Sequence, residues 1–119
     1  MQAIRSVLIV EDEPIIAMML EDYLDLLGCA VAGTADNVPE ALAIVEGGGF
    51  DLAILDVSLR DGAECWPIAD ALAARNIPFI LASGGVGTMK GDVPGCSTML
   101  EKPYALADVR AAIERLSTD

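Results

Sequence analysis

The sequence predicts an α/β fold: a single doubly wound parallel sheet of five strands with helices on both faces. Three observations carry this. Short apolar runs recur along the chain, with Val7-Leu8-Ile9-Val10 and Leu52-Ala53-Ile54-Leu55 the clearest, too short for helices and without alternation. Such runs suit strands buried on both faces, as in a parallel sheet covered by helices. Between them lie amphipathic stretches at helical spacing, so the order is β-α repeated. The chain of 119 residues with 54% hydrophobic content is long enough for one cored domain, read here as spanning 1–119.

In order, Ser6 to Val10 reads as the first strand, followed by Glu11-Asp12-Glu13 and by Pro14 in the first turn of a helix. Ile16, Leu20, Tyr23, Leu24 and Leu27 form the inward stripe of that helix, which Gly28 closes. Ile15, Met18 and Met19 widen the apolar surface and are assigned to the core, with a docking face as the alternative. Cys29 to Thr34 is the second strand. Asn37 and Glu40 resemble a capping box for a second helix, with Val38, Ala41, Leu42 and Val45 inward. Gly47-Gly48-Gly49 ends it, and the strand ending at Asp56 follows.

A third helix runs from about Trp66 to Arg75 with Ile68, Ala69 and Leu72 inward, and Asn76 as a left-handed stop. Ile77 to Ala82 is the fourth strand and Thr98 to Leu100 the fifth. Between them Gly84, Gly85, Gly87, Gly91 and Gly95 allow only a weak or short fourth helix, each interior Gly costing roughly 1 kcal/mol against Ala. Leu106, Val109, Ile113 and Leu116 mark a final amphipathic helix.

A formal charge of −12 argues against a basic nucleic-acid surface and suits a basic protein partner or a bound cation. Three cysteines (Cys29, Cys65, Cys96) and no histidine give neither a zinc site nor a disulfide framework; they read as small buried hydrophobes in a reducing compartment. No targeting segment or membrane-length apolar run is visible, so a cytoplasmic protein is expected.

The chemistry collects at the carboxyl ends of the strands, where open α/β sheets bind ligands. Strand one offers Glu11 and Asp12, strand three Asp56, strand four Ser83 and strand five Lys102. The flavodoxin-like order 2-1-3-4-5, adopted as one of two common orders, puts strands one and three about 4.8 Å apart. Glu11, Asp12 and Asp56 then share one crevice, where their repulsion is relieved by a hard divalent cation, Mg²⁺ with Mn²⁺ as substitute. Taken singly, Asp56 also suits the start of a loop or a cap, Asp12 a helix cap, Ser83 a turn and Lys102 a solvated charge.

Taken together, Val7-Leu8-Ile9-Val10-Glu11-Asp12-Glu13-Pro14, Leu55-Asp56-Val57-Ser58-Leu59-Arg60-Asp61-Gly62, Leu81-Ala82-Ser83-Gly84 and Glu101-Lys102-Pro103 resemble a response-regulator receiver domain across essentially the whole chain. The resemblance implies that Asp56 accepts a phosphoryl group from a histidine kinase or histidine phosphotransfer protein. Asp12, Asp56 and the backbone carbonyl of Ser58 would hold Mg²⁺, with Glu11 acting through water. Ser83 would bond the phosphoryl group, Lys102 would pair with Asp56 and then with a phosphoryl oxygen, and the Lys102–Pro103 peptide would be cis. It also implies autocatalysed phosphorylation and dephosphorylation without turnover of a separate substrate. The chain would act in a phosphorelay or two-component pathway as a monomer or weak dimer, signalling by altered binding of a downstream protein.

Three features depart from the pattern. Met99 stands where receivers usually carry Tyr or Phe, so Ser83 and Met99 would have to switch without a ring. Ser83 replaces the commoner Thr, and the segment 84–95 is glycine-rich, as in a subgroup of stand-alone receivers with a Phe-Ala-Thr-Gly motif, here Leu81-Ala82-Ser83-Gly84. That segment is then the expected switch element, mobile without phosphate and ordered with it. Two alternatives stay beside this reading: a phosphorylation-independent interaction module of the same fold, and an aspartyl-phosphate hydrolase. The hydrolase would need a second Asp two residues after Asp56, where Ser58 stands.

Overall fold

The computed structural model of the chain describes residues 4–57, 65–83, 96–101 and 104–117. The expectations placed on Ser58, on Lys102 with its bond to Pro103, and on the glycine-rich segment 84–95 lie outside these residues. The elements run β1 (Ser6–Val10), α1 (Pro14–Leu26), β2 (Ala30–Ala35), α2 (Val38–Gly47), β3 (Leu52–Asp56), α3 (Trp66–Ala74), β4 (Phe79–Ser83), β5 (Cys96–Glu101) and α4 (Leu106–Ser117). All five strands are parallel in the order β2-β1-β3-β4-β5, the flavodoxin-like order, which is the one of the two common orders adopted above.

Alternation along the central strands divides the core into two layers. Leu8, Val10, Ala53 and Leu55 point to one face, where α2 and α3 add Ala41, Val45, Ile68 and Leu72. Val7, Ile9, Leu52 and Ile54 point to the other, covered by Leu20 and Leu24 of α1 and Val109 and Ile113 of α4. Every residue of β3 is buried, which explains its unbroken apolar run. β2, at the sheet edge, is exposed along most of its length.

The element ends follow local chemistry. Gly28, at φ +82°, closes α1 in a Schellman motif: Gly28 N–H donates to Asp25 O and Cys29 N–H to Leu24 O. Cys29 therefore belongs to the helix exit, and β2 starts at Ala30 rather than at Cys29. The same motif, with Asn76 at φ +60°, ends α3: Asn76 N–H donates to Ala73 O and Ile77 N–H to Leu72 O. This holds Ile77 in the turn, and Pro78 has no N–H for a ladder, so β4 begins at Phe79, not Ile77. β5 extends beyond the expected Thr98–Leu100 because Cys96 pairs with Phe79 and Glu101 with Ser83.

At the start of α2, Asn37 Oδ1 accepts from Glu40 N–H at 2.8 Å. The return arm differs from a strict capping box: Glu40 Oε1 accepts from Asp36 N–H, not from Asn37 N–H. The assignment of Ile15 and Met18 to the core is corrected. They are 75% and 62% exposed, because the buried stripe of α1 is filled by Leu20 and Leu24, and both project from the other side of the helix.

Candidate functional site

The register of the sheet assembles the site. Val10 of β1 pairs with Leu55 of β3, so the next residues, Glu11 and Asp56, lie level where the two strands end. Glu11 continues the strand, since its N–H donates to Ala35 O at 2.9 Å. By the same alternation that places Val7, Ile9, Leu52 and Ile54, both acids fall on the α1/α4 face of the sheet.

Glu11 and Asp56 are only 5% and 6% exposed, the two buried charged residues among those described. Asp12 is half-buried beside them. One carboxylate oxygen from each of the three lies within 4.8 Å of the others. At that distance two unit charges repel by about 3.5 kcal/mol at an effective dielectric of 20. Glu13 N–H donates to Glu11 Oε2 at 3.1 Å and fixes that carboxylate. Glu13, not Asp12, occupies the N-cap of α1 and makes no side-chain cap, which removes the capping explanation for Asp12 as N-cap residue.

Three oxygen donors of like charge in a partly buried cleft could hold a hard divalent cation. Mg²⁺ suits it, since that ion keeps several waters and needs few protein ligands. A cavity of about 230 Å³ opens beside the cluster, its lining running from Glu11 and Asp12 to Asp36 and Glu40 at the start of α2. Four carboxylates therefore line it among uncharged residues, a field that favours cations and basic side chains beside Glu11 and Asp12.

Ser83 is the last residue of β4, one position beyond Ala82, the partner of Asp56. Its backbone thus lies one strand away from the nucleophile candidate, at the same edge. Met99 pairs with Leu81 on β5 and is exposed, so it fills no gap in the core.

Two residues given no role from the sequence stand out. Asp51 Oδ2 accepts from Arg5 N–H (2.9 Å) and Ser6 N–H (3.1 Å), pinning the entry of β1 at the end of the sheet opposite the site. Tyr104, between β5 and α4, is 4% exposed and packs in the α1/α4 core layer, and its hydroxyl has no hydrogen-bond partner among the described residues. Burial, and after it the charges of Glu11 and Asp56, push its phenol well above the ordinary tyrosine range. An aromatic directly after a Lys-Pro pair carried no signal of this; only the packed fold brings it to the acids.

Comparisons with known proteins agree with this geometry. The family model described as response regulator receiver domain matches residues 7–114. The solution structure of SdrG from Sphingomonas melonis Fr1 is 48% identical, with a TM-score of 0.86, and the match covers 99% of this chain and 100% of that one. The phyllosphere-induced regulator PhyR of Methylorubrum extorquens is 33% identical over 113 residues, 92% of this chain and 42% of that protein. The transcriptional regulatory protein TcrA of Mycobacterium tuberculosis is 33% identical over 115 residues, 93% of this chain and 45% of that protein. The chain thus spans less than half the length of these two curated relatives.

Proposed function

Because the chain belongs to the response regulator receiver domain family, we propose that it is a phosphoacceptor of a two-component or phosphorelay pathway, with residues 1–119 acting as one receiver unit and Asp56 as the acceptor. The observation that carries this reading is the meeting of Glu11, Asp12 and Asp56 where β1 and β3 end. In the reaction a carboxylate oxygen of Asp56 attacks the phosphorus of a phosphohistidine. The P–N bond breaks, its electron pair returns to the imidazole, and an acyl phosphate forms on Asp56. A carboxylate is a weak nucleophile, but phosphoryl transfer needs positioning and charge neutralisation more than nucleophilic strength.

The residues divide the work. β3 holds Asp56 rigidly, being buried along its whole length. Asp12 and Asp56 would hold Mg²⁺ together with the Ser58 carbonyl, and Glu11 would hold water of its shell. The ion, when bound, supplies positive charge against the phosphoryl oxygens. Lys102 follows Glu101 of β5 directly and is assigned the second positive charge; Ser83, at the end of β4, is assigned the neutral donor. Exposed Ile15 and Met18 lie one and two turns from the acids on α1, where a histidine kinase or histidine phosphotransfer protein must rest to present its phosphohistidine. No helix among the described residues is long and apolar enough to cross a membrane.

The test is chemical. With acetyl phosphate and Mg²⁺ the protein should gain one phosphoryl group by intact mass, and Asp56→Asn should gain none. Undiminished labelling of the variant would remove Asp56 from the role. The output is read as altered binding of a downstream protein. SdrG offers a precedent for two conformations, since a second structure of it is described as BeF3-activated.

A further inference from the structure

Tyr104 poses a problem of physical chemistry. A phenol can donate one hydrogen bond and accept others, and a buried polar group left without a partner lowers stability. Phenylalanine would fill the same volume without that cost. Tyr104 nevertheless presents a hydroxyl that is 96% enclosed as part of its residue and bonded to nothing among the described residues. Buried hydroxyls without partners are uncommon, and each asks for a reason.

Its position supplies one. The ring lies in the core layer formed with Ile9 and Ile54. Asp56 comes two residues after Ile54 on β3, and Glu11 two residues after Ile9, just past the end of β1, so both face the same layer. The hydroxyl feels both carboxylates electrostatically and is bonded to neither. Polar groups that face one layer without bonding each other directly can be joined by a bridging water. A hydrated divalent cation brings such waters with it, since Mg²⁺ keeps several of its own.

We propose that Tyr104 is a positioning residue for the cation site: its hydroxyl accepts a hydrogen bond from a water of the Mg²⁺ shell held by Glu11, Asp12 and Asp56. This rests on the reading of that cluster as a Mg²⁺ site. The contact has a structural consequence. Ala105, the next residue, donates its N–H to Asp108 Oδ2 at 2.8 Å, which fixes the first turn of α4. Tyr104 is thereby tied to that turn, and occupancy of the site is transmitted to the start of α4 through one side chain.

The experiment compares wild type, Tyr104→Phe and Tyr23→Phe in Mg²⁺ titrations followed by thermal melting and by tyrosine difference absorbance. Without the metal, Tyr104→Phe should melt about 4 °C above wild type, since an unmet hydroxyl is removed. With Mg²⁺ its affinity should fall about fivefold, the loss of one ordinary hydrogen bond. Mg²⁺ should perturb tyrosine absorbance in wild type and in Tyr23→Phe but not in Tyr104→Phe. Equal Mg²⁺ affinity in Tyr104→Phe and wild type, or an absorbance change that survives in Tyr104→Phe, overturns the role of Tyr104 and leaves the cation site standing. Failure of wild type to respond to Mg²⁺ overturns both.

Discussion

Asp12→Asn separates the cost of crowding three carboxylates from the gain in binding a cation. The substitution keeps shape and one acceptor oxygen and removes one charge, hence two of the three repulsive pairs in the cluster. At 4.8 Å each pair is worth ~0.9 kcal/mol in water and ~3.5 kcal/mol at an effective dielectric of 20. Asp12 is half-buried, so solvent screens it and the lower part of that range applies. Taking about 1 kcal/mol per pair, the metal-free variant gains about 2 kcal/mol. For a domain of this size that raises Tm by roughly 8 °C at low salt, less as salt is added. Mg²⁺ at a hundred times its Kd should stabilise wild type by ~2.7 kcal/mol, or roughly 11 °C. A tenfold loss of affinity halves that increment in the variant. Calorimetry of both proteins with EDTA and with Mg²⁺ makes the comparison. A variant that melts at or below wild type in EDTA would refute the repulsion, and equal Mg²⁺ increments would remove Asp12 from the site.

Two further outcomes are expected. Replacing Ile15 and Met18 by Ser should leave Tm within about 2 °C, as both are surface residues, and should preserve labelling by acetyl phosphate. The same variant should accept phosphate more slowly from a histidine phosphotransfer protein; an unchanged transfer rate would place the docking face elsewhere. Asn37→Ala should cost about 1 kcal/mol through loss of the cap on Glu40 N–H, seen as a lower urea midpoint without change in slope.

Strand interiors were legible from the sequence because burial on both faces writes an unbroken apolar run. The run Val7–Val10 marks β1, and the four apolar residues Leu52–Leu55 mark the strand that ends at Asp56. The strand order could be adopted only as one of two common orders, because nothing in the runs themselves says which strand sits beside which. Strand starts were misplaced where a helix exit overruns them. Cys29 and Ile77 look like strand residues by side chain, yet their N–H groups are used to close Schellman motifs. The α1 surface was misread for a related reason. Spacing sets Ile15 and Met18 apart from the Leu20 and Leu24 stripe, but only the fold shows that their side of the helix is exposed.

The candidate site divides in the same way. Acids at strand ends are visible in a sequence, because a carboxylate that follows four apolar residues breaks the local pattern, and Glu11, Asp12 and Asp56 did so. Tyr104 breaks no pattern: an aromatic ahead of an amphipathic helix reads as core, and its ring is core. What sets it apart is parity across three separate segments. Counting by twos from Ile9 and from Ile54 reaches Glu11 and Asp56 on one face, and the turn into α4 lays Tyr104 against that face. Each count is readable in the sequence once the register is known, and the register is a property of the assembled sheet. A site built from strand ends is therefore half legible. The groups that break the pattern announce themselves, while the groups that complete the site from a neighbouring layer appear only when the layers are stacked.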